Sequence, residues 1–387
     1  MSVYKKHYQL FLQANEGLQH YASHSHHYWP DVTRAAMLQY WDDSAKYTDD
    51  KWNYFFTQKI PVVQKLISEN LKLSASENIV FAPNTHEFVN RILSCFSPLK
   101  KIKILTTDSE FYSFDRQINR LIQDDLVTVC KVPVEPIISF EERFIQESHK
   151  NHYDLIFLSQ VFFNSGHAVQ NLSEFVLQLS TDSVIVVDGY HGFMALPTDL
   201  SRIEDRIFYL TGAYKYAQGG EGCCFMTIPR DCALEPMNTG WFAGFGQLTS
   251  QSGHVKYARD GFRFAGSTMD YSALYRLESV LMLFKNEKIT VEDIHDHVRY
   301  KQDQFLKTIE LLDHPELSIN SIINSEMKTG RSLFGHFYTF ALSSTEQSEY
   351  WCNYLKQHRV LTDFRGDRLR FGFGLYQNSE IDLSCLK

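Results

Sequence analysis

Along most of this chain, apolar positions follow one of two rhythms, and the two take turns. Compact apolar runs rich in β-branched residues occupy 79–81, 101–107, 126–132, 155–163, 183–189 and 207–212, and they read as strands. Between them, 113–123, 140–148 and 171–180 repeat apolar residues every three or four positions and read as amphipathic helices. A longer stretch from Asp50 to Leu73 has the same spacing, through Trp52, Phe55, Phe56, Ile60, Val63, Leu66 and Ile67. This alternation runs to about residue 230 and predicts an α/β fold on a mainly parallel sheet with right-handed crossovers. Beyond it, a helix over 291–312, a strand over 333–343, a helix over 346–360 and a strand over 368–376 predict a smaller α+β unit. The organisation expected is an N-terminal segment 1–49, a large domain 50–285 and a small C-terminal domain 286–387.

Two of the strands end on reactive groups. Asp188 closes the run that begins at Val184, His191 follows it, and Lys215 comes just after the strand at 207–212, between Tyr214 and Tyr216. Open α/β sheets gather their ligands at such carboxyl ends. An amine and a carboxylate so placed suit pyridoxal phosphate (PLP), whose chemistry uses a lysine for attachment and an acid to keep the pyridine nitrogen protonated. Either residue taken alone also fits a plain strand terminus. The short strand at 79–81 breaks at Pro83, and Asn84 with Glu87 resembles a helix capping box. The first N–H groups of such a helix have no internal partner and attract anions, and the Thr85 hydroxyl adds to them. The strand-end loops with Glu110–Phe111–Tyr112–Ser113, Ser159 and Asn164–Gly166 would gather on the same sheet edge. Phe111 there can cover a flat ring or simply pack.

Composition narrows the classes. The 387 residues are 44% hydrophobic and 22% charged, as in an ordinary globular protein, and the formal charge of −8 gives no footprint for nucleic acid. No apolar run reaches the ~18–20 residues of a membrane helix, and the first residues lack a signal-peptide core. Seven cysteines without C-x-x-C spacing read as reduced thiols of a cytoplasmic protein. The cluster HYASHSHHYWPD holds His20, His24, His26 and His27 but no acid or cysteine at ligand spacing, so it reads as a polar loop rather than a metal site. No G-x-G-x-x-G follows the first strand, which leaves a dinucleotide site unsupported.

The block VVDGYHGFMALPTDL…YLTGAYKY resembles the D-x-x-H and S-Y-K-Y motifs of PLP-dependent fold type I transferases, in the class V aminotransferase group. Within that group the chain is most similar to the kynureninases. The resemblance runs from about residue 20 to the end and implies a seven-stranded, mainly parallel sheet between helices, with a smaller α+β domain. It implies that Asp188 pairs with the pyridine nitrogen, that His191 lies near it, that Lys215 holds the cofactor and that Tyr214 contacts it. The phosphate would rest on Asn84 and Thr85, with Phe111 stacked on the ring, Ser113 two residues on, and Ser159 at the next strand end. The family's G-W falls on Gly240–Trp241, and its cross-subunit phosphate contact falls on Ser267 and Thr268, which implies a homodimer with active sites at the interface. The D-x-R…L-R motif falls on Asp363, Arg365 and Arg370, of which Arg370 is expected to take the substrate carboxylate. The family's N-S-L-G loop beside the substrate appears here as SHSHHYW, so His26 and His27 become candidate substrate contacts, and its S-N-P segment appears as GSTMD.

The activity so implied is hydrolytic Cβ–Cγ cleavage of an amino acid. A class V aminotransferase or another PLP lyase would keep every cofactor residue. A cysteine desulfurase needs a nucleophilic thiol on the loop before the C-terminal arginine; none lies between Val360 and Arg370, and Cys352 falls within a helix. Lys215 and Asp188 together argue against a non-catalytic binding protein on the same fold.

Overall fold

The computed structural model describes residues 3–245, 254–378 and 381–387. At its centre is a sheet of strands β1 (Ile79–Ala82), β2 (Ile102–Thr107), β3 (Val127–Val132), β4 (Leu155–Ser159), β5 (Val184–Asp188), β6 (Ile207–Gly212) and β7 (Cys224–Thr227). Their order is β1-β7-β6-β5-β4-β2-β3, seven strands in all. Only β7 runs antiparallel to its neighbours, β1 and β6; the β6-β5-β4-β2-β3 portion is parallel throughout. Both faces of β4 and β6 are buried along their length, which is why they appear in sequence as unbroken apolar runs. Phe114 from the helix over Tyr112–Gln123 stacks on Phe157 of β4 with ring centroids 3.7 Å apart.

The expected helix from Asp50 is present but stepped. Lys51–Tyr54 is α-helical, Phe55–Lys59 forms a wider π turn, and Ile60–Leu71 resumes the α-helix. Pro61, which has no N–H to give, sits at the resumption, so the ladder must change step there. A helix over Val32–Tyr47, which the apolar period does not mark, lies along the helix over Ser272–Glu287 and is tied to it by the Tyr275 hydroxyl donating to Asp43 at 2.7 Å.

Near the C-terminus, β8 (Phe337–Ala341), β9 (Asp363–Arg365) and β10 (Arg368–Gly372) form an antiparallel sheet in the order β9-β10-β8. A second apolar cluster forms beneath it, around Phe305, Phe340, Trp351, Leu369 and Phe371. Tyr21 from the N-terminal segment belongs to this cluster, and Gln19–His20 pair in parallel with Val360–Leu361. The helix over Val291–Leu312 spans both cores, with Val291 and Ile294 in the large cluster and Val298 and Phe305 in the small one. Among the described residues no helix is long and apolar enough to cross a membrane.

The carboxyl ends of β4 and β5 are locked in step. Ser159 faces Asp188 in register, and the Gln160 N–H donates to the Asp188 carbonyl at 2.8 Å. Immediately after Asp188 the chain passes Tyr209 so closely that a Cβ on Gly189 would lie 2.0 Å from the phenol ring. Tyr209 is fully buried and has nowhere to move. Gly189→Ala should therefore cost about 1–3 kcal/mol of stability, read as a lowered melting temperature; an unchanged melting temperature would mean the turn relaxes freely.

Candidate active site

Lys215 sits at the tip of a tight loop between β6 and β7. The loop is closed by the Ala213 N–H on the Cys223 carbonyl and the Gly219 N–H on the Ala213 carbonyl, both at 2.9 Å. This geometry turns the lysine back over the sheet, where it is buried and its Nζ lies 2.6 Å from His191 Nε2. Three rings surround the amine: Tyr190 at 4.9 Å, Phe111 at 5.5 Å and Tyr214 at 5.7 Å from Nζ to centroid. Burial pushes the amine's pKa down, while the charge of Asp188 opposes the shift. Asp188 accepts the Tyr190 N–H at 2.9 Å, and burial pushes its carboxyl up against that bond and the pull of Lys215. His191 is held far below its ordinary pKa by burial and by Lys215, so it is a neutral imidazole. A tautomer that accepts from the amine at Nε2 carries its proton on Nδ1, which is buried and finds no partner among the described residues.

These groups open onto a cavity of about 1150 Å³. Of the residues expected from sequence, Asn84, Thr85, Phe111, Ser113, Ser159, Asp188, His191, Tyr214 and Lys215 all line it. Asn84 caps the helix over Thr85–Leu93, its side chain accepting the Glu87 N–H at 3.0 Å. Other expected residues lie elsewhere. Trp241 Nε1 meets the Thr268 hydroxyl at 3.3 Å, and with Ser267 they form an exposed patch that does not line this cavity.

The two histidines part company. His26 is exposed, with its ring 5.9 Å from Tyr214. His27 is instead buried, its Nδ1 on the Tyr28 carbonyl at 2.8 Å and its ring edge-on to Tyr376 at 4.9 Å. Neither ring lines the cavity, and His27, expected beside His26 at the substrate, turns into the interior where the chain leaves the turn closed by the Ser25 and His26 N–H groups on the Ala22 carbonyl. Arg370 does not line the cavity; its guanidinium is paired with Asp363.

Two contributors were not singled out from sequence, and a third, Glu110, was named there only as part of a strand-end loop. Tyr190 and Phe163 line the cavity as further aromatic walls; they stood in sight in DGYHG and LSQVFF, but nothing in a lone aromatic residue distinguishes a wall from a core position. Glu110 is buried beneath the cavity and accepts from the Ser159 hydroxyl at 2.6 Å, the Ser159 N–H at 3.2 Å and the Thr107 hydroxyl at 2.7 Å. Burial still pushes its carboxyl up to about 7. Among the described residues no group of three or more His, Cys, Asp or Glu is placed to hold a metal.

The donor set fits PLP. A desolvated amine for attachment, a carboxylate one strand away, a flat aromatic wall and the start of the helix over Thr85–Leu93 all face one cavity. Fold and site together define a PLP-dependent enzyme of fold type I. The profile of the family described as aminotransferase class-V matches residues 28–331, and the chain belongs to that family.

Among solved structures, the cystine C–S lyase C-DES in complex with its reaction product cysteine persulfide is similar at 16% identity and a TM-score of 0.80, with 95% of this chain and 96% of that one covered. A lysine-to-alanine mutant of C-DES with glycine covalently linked to its PLP cofactor gives 16% identity, a TM-score of 0.78 and coverage of 95% and 94%. The cysteine desulfurase of Thermococcus onnurineus NA1 in its apo form gives 16% identity, a TM-score of 0.76 and coverage of 99% and 94%. Likeness at this identity speaks to the fold. No curated protein matches by sequence.

The raised carboxyl of Glu110 has a definite pH signature. The folded state holds its proton more tightly than the unfolded chain, so this group's contribution to stability is largest below the ordinary glutamate range. That contribution is lost as pH rises toward about 7. Glu110→Gln keeps the shape and can accept from Ser159 N–H and Thr107 while donating to the Ser159 hydroxyl. The variant should gain on the parent by roughly 1–3 kcal/mol between pH 5 and pH 8; melting curves at the two pH values that move in parallel would refute the assignment.

Proposed function

We propose that the chain is a PLP-dependent enzyme acting on an α-amino acid whose Cγ is an aryl ketone carbonyl, by kynureninase-like hydrolytic Cβ–Cγ cleavage. The observation that carries the reading is the cavity itself. Phe111, Tyr112, Phe163, Tyr190 and Tyr214 line its approach to Lys215, a surface suited to a flat, bulky side chain.

The residue roles follow from their positions. Lys215 would hold the cofactor and would be the base nearest the α-proton. Its depressed pKa leaves the amine free to accept. Asp188 would keep the ring nitrogen protonated, Asn84 and Thr85 would take the phosphate, and Phe111 would flank the ring. When bound, PLP supplies the electron sink that lets the α-proton leave. His191 holds the lysine amine in place from behind. Arg370 holds the substrate carboxylate. Water then adds across the Cβ–Cγ bond, giving alanine and an arylcarboxylic acid.

A second reading is cleavage of a carbon–sulfur bond, the activity named for C-DES. It would use the same lysine and aspartate and needs no thiol from the protein. A desulfurase with its own cysteine nucleophile is disfavoured. Cys352 lies on the helix over Thr345–Gln357 with its thiol on the Thr362 carbonyl, and burial raises its pKa. Cys224 is buried against Tyr190 and its thiol is pushed up to about 12.

Assembly belongs to the same proposal. Ser267 and Thr268, exposed and outside their own cavity, would contact the phosphate in a partner subunit of a homodimer. An active, cofactor-saturated monomer in sedimentation would refute that placement.

Substrate class is decided by turnover. L-kynurenine should yield alanine and anthranilate, and L-cystine should yield no persulfide; persulfide and pyruvate from cystine, with kynurenine inert, would replace the first reading by the second. Asp188→Asn should keep borohydride-fixable cofactor on Lys215 but lower kcat by about a hundredfold or more, since it removes charge stabilisation made in the transition state. Turnover equal to the parent would sink the PLP mechanism.

A further inference from the structure

We infer that Asp363 is the positioning residue that fixes Arg370 so that only one edge of its guanidinium is offered to the substrate carboxylate. This rests on the reading of Arg370 given above and adds how that arginine is held.

Arg370 and Asp363 are opposed in register on β10 and β9, so their side chains share a face of the hairpin. Nε donates to Asp363 Oδ1 at 2.9 Å and Nη2 to Oδ2 at 2.5 Å, a side-on fork. Nη1 donates to the carbonyl of Phe163, a residue of the cavity wall. Nη2 also reaches the Ser25 hydroxyl, at 3.4 Å. A guanidinium has five N–H donors. Asp363 takes the Nε–Nη2 edge and Phe163 takes one Nη1 proton. What remains is the outer Nη1–Nη2 edge, where the long contact to Ser25 is the weakest bond of the set.

The carboxylate that holds the arginine is itself held. His24 Nε2 lies 2.7 Å from Asp363 Oδ1, and the Ser25 hydroxyl donates to Oδ2. His24 is buried and stacked on Phe337 at 4.8 Å, and its Nδ1 faces Gly372 so closely that a Cβ there would lie 2.2 Å away. Although burial opposes it, contact with His24 and Arg370 keeps the Asp363 carboxyl well below the usual range, so the fork stays charged on both sides. Three separate segments therefore meet at one guanidinium, directly behind the wall that carries Phe163.

The consequence is recognition by a fixed, half-neutralised arginine. Its formal charge is already balanced by Asp363, so the substrate carboxylate is selected by direction rather than by bulk attraction. The contact is end-on through Nη1 and Nη2, and the Ser25 hydroxyl gives way.

The test is titration of purified holoenzyme variants, followed by cofactor absorbance, with L-alanine, which has both the amine and the carboxylate, and with ethylamine, which has only the amine. Asp363→Asn places an amide N–H against the arginine's donors. It should weaken L-alanine by about tenfold or more while ethylamine changes by less than about twofold. In an Arg370→Ala background the same substitution should add less than about twofold. Parental L-alanine affinity in Asp363→Asn, or an undiminished loss in the Arg370→Ala background, overturns the positioning role. Parental L-alanine affinity in Arg370→Ala alone sinks instead the reading of Arg370 as the carboxylate site. Arg370→Lys keeps the positive charge without the planar edge and so tests the edge even if Asp363→Asn does not fold. It should weaken L-alanine by about tenfold or more while ethylamine changes by less than about twofold, and parental L-alanine affinity would overturn the assignment of the edge.

Discussion

Keeping water away from the Lys215 amine is the constraint on which the rest of this site depends. A buried ammonium is costly, and a buried carboxylate beside it is equally so. The chain meets both costs locally, with Asp188 at the end of a strand paired in register to the strand of Ser159, and with a neutral imidazole 2.6 Å from the amine. The result is an amine that burial biases toward its reactive, uncharged form and an acid that awaits a cationic partner. A pyridinium nitrogen is such a partner, and this is why the pair suits PLP better than any ligand lacking a basic ring.

The same economy explains the sheet. Strands β4 to β6 must be buried on both faces to keep solvent from their carboxyl ends, and that burial is what made them visible as apolar runs. The lone antiparallel strand, β7, does not stand out in sequence, since its four residues, CFMT, directly follow a glycine-rich stretch. Residues whose role depends on type and strand position were legible: Lys215, Asp188, Phe111 and Asn84 reach the cavity because they follow strand ends. Residues whose role depends on long-range contact were not. The helix over Val32–Tyr47 shows no single apolar stripe because partner helices and the Asp43–Tyr275 bond hold it. His26 and His27 look alike in sequence, and the rings of Tyr8, Tyr216 and Tyr376, far from it along the chain, are what His27 packs against on turning inward.

Arg370 shows the boundary most sharply. The resemblance made it the expected carboxylate ligand, yet its pairing with Asp363 follows from hairpin register, which a sequence period does not specify. That pairing also gives the N-terminal segment a purpose. Gly372 N–H donates to the Tyr21 carbonyl, and Gln377 bonds the carbonyls of His20 and Gly372, so residues 20–25 are stitched to the strand that carries the arginine. His24 and Ser25 arrive at Asp363 as part of that stitching rather than as separate accidents.

The cavity and the held arginine are thus built from different parts of the chain. Lys215, Asp188, His191 and Asn84 sit on the large sheet and its loops. Arg370 and Asp363 come from the small C-terminal sheet, and Ser25 and His26 come from the N-terminal segment bound to it. Lys215, Asp188, His191 and Asn84 line the cavity together with the rings of Phe163 and Tyr190, whereas Arg370 reaches its wall through the bond to the Phe163 carbonyl. The N-terminal segment and the hairpin carrying Arg370 bring no thiol among the described residues.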